Sequence, residues 1–136
     1  MAGLVDLSHP WVDASRAPLY TLVFPKAAED ADVVSFATAR EEWAKRAHYP
    51  VAWVVDLSNL LTATPKQRRL FSEHLSRFEP HDIAYNRGSA LVVPNAMLRG
   101  IVTAVFWMKR PRFPNEFFAT PAEARRWAEA QLKKTT

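Results

Sequence analysis

The sequence predicts an α/β fold, a four- to five-stranded mixed sheet covered by helices in the order ββαβαβαβα. Three observations carry that prediction. Short apolar runs rich in β-branched residues, among them Leu19–Phe24, Val51–Leu57 and Ser89–Val93, alternate with stretches that are apolar at helical spacing. The run Val51-Ala52-Trp53-Val54-Val55 suits a strand buried on both faces of a parallel sheet. Thr64-Pro65 and Thr120-Pro121 each pair a capping hydroxyl with a first helical residue that needs no N–H partner.

The totals fit one domain. The 136 residues are enough for a single core over 11–134, after an irregular lead-in at 1–10. Five Trp and eight Phe supply large apolar area, so a packed interior is expected rather than disorder. There is no cysteine, which excludes disulfides, thiol catalysis and thiolate metal sites. Residues 1–10 lack the basic start and apolar core of a signal peptide. No apolar run reaches the roughly 18 residues of a spanning helix. A soluble cytoplasmic protein is therefore expected. The formal charge of +4 permits an acidic partner without requiring one.

Along the chain, Trp11–Asp13 and Leu19–Phe24 form an opening antiparallel hairpin, turned at Ser15–Pro18. A helix follows, capped by Asp30 or Asp32 and running to about Ala47. Val33, Phe36, Ala37, Trp43, Ala44 and Ala47 make its inner stripe, and Arg40, Glu41 and Lys45 lie away from it. His48-Tyr49-Pro50 ends it. After the central strand comes a helix from Pro65 to about Phe78, then a polar connection, Glu79–Gly88, containing Pro80. Ser89–Val93 is a buried strand, and Pro94-Asn95 opens the helix Ala96–Met108, which is apolar nearly all round. Lys109–Pro114 is a basic loop and Glu116–Ala119 a last strand. Thr120-Pro121-Ala122-Glu123 is a capping box for a final helix that turns Ala124, Trp127, Ala128 and Leu132 inward. Handed crossovers put the helix starts at Pro65 and Ala96 on one sheet edge, leaving an amide-rich tip after Val51–Leu57.

Several residues are candidates for a site. Ser58, Thr62 and Thr64 could accept a phosphate, or bind an anion at a helix start; capping alone also accounts for Thr64. Asp56 organises the loop through Asx hydrogen bonds, or acts as a base. Asn95 and Arg99 could form a facing anion site, Asn95 being otherwise a cap. The helix 96–108 either lies fully buried or exposes some of Val102, Val105, Phe106 and Trp107 to a partner or a second copy. His9, His48, His74 and His81 show no ligand spacing, so no metal is expected. Three glycines cannot build a Walker or dinucleotide loop, no Gly-x-Ser-x-Gly occurs, and neither cofactor nor catalytic set is expected. The Lys109, Arg110 and Arg112 cluster is short and Pro-broken, which reads as a solvated loop rather than a nucleic-acid patch.

The segment from Val54-Val55-Asp56-Leu57-Ser58 to Thr64 resembles the STAS superfamily, whose strand ends in Asp-Leu-Ser before a short loop and a helix. Ala90–Val93 and the closing Phe117–Ala124, with Trp127, resemble the small STAS-like and SEC14-like bacterial domains. The resemblance spans roughly residues 11–132. It implies a non-enzymatic protein-interaction or signalling module, or alternatively a small-ligand or lipid-binding domain with a pocket near Thr64 and Asn95. One departure matters: the antagonist members carry an Asp-Ser-Ser-Gly segment with a phosphorylatable Ser, where this chain has Thr62-Ala63-Thr64-Pro65.

Overall fold

The computed structural model describes residues 3–134, so the first two residues of the lead-in lie outside the described residues. The elements are β1 (Val12–Asp13), β2 (Leu19–Val23), α1 (Asp30–Ala44), β3 (Val51–Asp56), α2 (Pro65–Tyr85), β4 (Asn86–Val92), α3 (Ala96–Met108), β5 (Asn115–Phe118) and α4 (Pro121–Lys133). The class is α/β, as the alternation of runs predicts. The five strands form one mixed sheet in the order β1-β2-β3-β4-β5. β1 pairs antiparallel with β2, and every other neighbouring pair is parallel.

Sequential order decides the layers. The crossovers through α1, α2 and α3 all step in the same direction along the sheet, so crossovers of one hand lay the three helices on one face. The period of two then sorts the strand side chains. Tyr20, Leu22, Trp53 and Leu91 join Phe36, Trp43, Phe78, Leu98 and Val102 in the larger core. Leu19, Ala52, Val54, Ala90 and Val92 face the other way, against Ala124 and Ala128 of α4. Small residues on both sides let α4 press close to the sheet. A Cβ on Gly88 would lie 2.9 Å from the ring of Trp127. The lead-in also packs: Leu7 is buried in the larger core, and the Val5 N–H donates to the Tyr49 hydroxyl at 3.0 Å.

Three local expectations are corrected. The N-cap of α1 is Glu29, and Asp32 serves instead as an acceptor for the Glu29 N–H at 3.0 Å. α2 does not stop near Phe78. It continues through Pro80 to Tyr85, so most of the expected polar connection Glu79–Gly88 is helix and the rest begins β4. Pro80 removes one helical N–H, but the turns beyond it are anchored from outside. Asp82 faces Arg40 across 3.6 Å, and His81 Nε2 lies 2.8 Å from the Ala47 carbonyl. Third, Arg40 is buried, not solvated. Its position, four after Phe36 and three before Trp43, lies on the inner stripe of α1, and its charge is what hid it.

Candidate functional site

The junction after β3 is tightly bonded. Asp56 Oδ1 accepts the Ser58 N–H at 2.9 Å and also the Ser58 hydroxyl, closing an Asx turn. The Leu57 N–H donates to the Val92 carbonyl at 3.1 Å and the Leu61 N–H to the Lys26 carbonyl at 2.9 Å. Thr64 and Gln67 then cap α2 reciprocally: Thr64 Oγ1 accepts the Gln67 N–H at 3.1 Å, and Gln67 Oε1 accepts the Thr64 N–H at 3.1 Å. The Gln67 amide donates onward to the Ala28 carbonyl at 2.6 Å. These amides are spent on the chain itself, although Ser58, Thr62 and Thr64 are exposed as side chains.

The facing junction is simpler. Asn95 Oδ1 accepts the Leu98 N–H at 3.0 Å and caps α3. Arg99 is exposed, and its carbonyl accepts from the Thr103 hydroxyl at 2.7 Å.

What the sheet and its three helices enclose is a cavity of about 120 Å³. Its walls come from β2 (Leu22), β3 (Trp53, Val55), β4 (Ser89, Leu91), α1 (Val33, Phe36), α2 (Phe71, Leu75) and α3 (Ile101, Val102, Val105, Phe106), with Thr62, Ala63 and Phe113 from the loops. Of the site residues expected from sequence, Thr62, Val102, Val105 and Phe106 meet here. Ser58, Thr64, Asn95 and Arg99 do not line it. Trp107 is the exception on α3. It lies on the outer face, 85% exposed, with Met97 and Met108 also exposed on that helix.

Four polar side chains sit in the deeper lining: Arg40, Gln67, His74 and Ser89. The Arg40 guanidinium lies between two rings, 4.4 Å from the centroid of Trp53 and 3.8 Å from that of Phe78. Asp82, 2% exposed, stands 3.6 Å from it, and the Asn86 amide donates to Asp82 at 3.0 Å and to the Ser89 hydroxyl at 3.0 Å. Burial lowers Arg40 to about 10, with Asp82 opposing, so the guanidinium remains charged at neutral pH. Burial also raises Asp82, against the pull of Arg40 and Asn86. His74 is held neutral, its pKa pushed well below 6.5 by burial and then by Arg40 and Arg77. Neither His74 ring nitrogen has a hydrogen-bond partner among the described residues; the Glu41 carboxylate stands 3.8 Å from Nδ1.

Arg40, Gln67 and Ser89 are absent from the candidates that motif reading supplies, and His74 enters there only as a metal ligand set aside on spacing. Arg40 and His74 carry a signal nonetheless. Arg40 falls on the α1 stripe, and Gln67, Phe71, His74 and Phe78 recur at spacings of four, three and four along α2. No helix among the described residues is long and apolar enough to cross a membrane. Against protein-family models, curated proteins and solved structures, the chain finds no match.

Proposed function

We propose that this chain is a non-enzymatic α/β module that binds a small, mostly apolar molecule in the cavity between the sheet and α1, α2 and α3. One observation carries the reading: six secondary-structure elements and the loops before α2 and β5 converge on an apolar hollow with a few polar groups in its wall. The volume is close to that of cavities of about 150 Å³ that take up benzene, so a single ring or a short chain fits. The sequential mixed sheet supports the STAS-like resemblance at the level of fold. The pocket of this reading lies beneath Thr62, not between Thr64 and Asn95.

The test is direct titration. Trp53 lines the cavity, so its fluorescence reports occupancy. Saturable quenching or enhancement by benzene, indole or hexanol is expected, together with loss of the effect in Ile101→Trp, which fills the wall. Absence of saturable binding across that set, by fluorescence and by calorimetry, would remove the reading.

A second reading, a protein-interaction module that includes self-association, is favoured by Trp107. A Trp this open on a helix that also exposes Met97 and Met108 is an anchor of the kind found at interface centres. Light scattering tests it: a dimer in the parent chain that Trp107→Ser reduces to monomer supports the reading, and a monomer at all concentrations counts against self-association.

A further inference from the structure

The cavity wall is electrically lopsided, and that selects among apolar ligands. No Asp or Glu lines it, whereas two arginines do. Arg40 in the deeper wall already has its counter-charge, because Asp82 stands 3.6 Å away. Arg68 does not. It forms no ion pair with any described acidic residue, and its Nε, like that of Arg40, is buried without a hydrogen-bond partner among the described residues.

Position matters as much as charge. Thr62 is the one exposed lining residue, and its neighbours Ala63 and Arg68, with Phe71 of α2 and Ile101 and Phe106 of α3, are half-buried. The hollow therefore opens beside Thr62 and between α2 and α3, and Arg68 stands at that rim. A guanidinium matches the two oxygens of a carboxylate as a planar fork, and a charge-assisted pair at a half-buried rim is stronger than one in open water. A carboxylate in the deeper part would instead meet a His74 that burial keeps uncharged and an Arg40 already paired.

Resting on the cavity reading above, we propose that the ligand is a small amphipathic monocarboxylate: a ring or chain of about six to eight carbons inside, with its carboxylate on Arg68 at the rim. The full chain is titrated at neutral pH with hexanoate and phenylpropanoate, and separately with hexanol and phenylpropanol. Each carboxylate is expected to bind about tenfold or more tighter than its alcohol, the margin of one charge-assisted pair. Arg68→Met should erase that margin, so that within this variant each acid binds no tighter than its alcohol, and Arg68→Lys should keep part of it. If Arg68→Met does not fold, added salt must weaken carboxylate binding to the parent chain and leave alcohol binding unmoved. Alcohols binding as tightly as the acids, or a margin that survives Arg68→Met, or survives salt where that variant does not fold, overturns the carboxylate and leaves the cavity reading standing. Failure of all four probes to saturate overturns both.

Discussion

Arg40 of α1 and Asp82 of α2 face each other at 3.6 Å in the interior, the guanidinium flanked by Trp53 and Phe78 and the carboxylate held by Asn86. The pair joins two helices and, through Asn86 and Ser89, the start of β4. Breaking a buried pair on one side strands the other charge, at a cost of about 3–5 kcal/mol. Asp82→Ala is therefore expected to lose stability on that scale, while Arg40→Met with Asp82→Leu should lose much less. Urea unfolding of the two variants measures the difference.

The pH dependence follows from His74. Its pKa in the folded chain lies well below 6.5 because burial disfavours the cation, while the unfolded chain titrates near its ordinary value. Below 6.5 the unfolded state binds more protons, so the stability contributed by neutral His74 is full above that value and falls as the pH drops toward the folded pKa. His81 and His9, lowered chiefly by burial, add in the same direction. Unfolding free energy measured between about pH 5 and 8 should rise with pH, and His74→Phe should flatten the rise.

Thr64 closes a reciprocal cap with Gln67, and Gln67 ties that cap to the Ala28 carbonyl before α1. Thr64→Ala removes the acceptor for the Gln67 N–H and should cost about 1 kcal/mol. Gln67→Ala keeps the N–H that donates to Thr64 but removes both the acceptor for the Thr64 N–H and the tie to Ala28, and should cost more. Thermal melts of both, followed by circular dichroism, give the order.

Gly88 fixes how closely α4 approaches. A methyl at this position meets Trp127 Cη2 and Cζ3 at 2.9 Å and Gln131 Cγ at 3.0 Å. Gly88→Ala is expected to destabilise by about 1–3 kcal/mol through overpacking, and pairing it with Trp127→Leu should recover much of the loss. A double-mutant cycle in urea reads the coupling.

How much of this was legible depended on which force ruled each segment. β3, β4 and the Thr-Pro helix starts announced themselves because period, burial and capping all agreed there. α2 beyond Phe78 did not, because Pro80 argues locally for a break, and the contacts of Asp82 with α1 and of His81 with the turn after α1 override it. Arg40 was discounted for its charge although its spacing placed it inside. α3 read as apolar all round, and the structure divides that surface: Leu98, Val102 and Val105 go to the core, whereas Met97, Trp107 and Met108 remain outside. The cavity itself left no trace in sequence, since a hollow is made by residues that fail to meet, and no pattern of residue types records that.

Among the described residues α4 alone covers the second face of the sheet, and that sets an order of events. Since α4 follows all five strands in the chain, a chain emerging from the ribosome presents Leu19, Ala52, Val54, Ala90 and Val92 bare until α4 is made. During that interval the half-clothed sheet invites wrong partners, and nascent-chain capture by chaperones should be heaviest just before Pro121–Lys133 clears the tunnel.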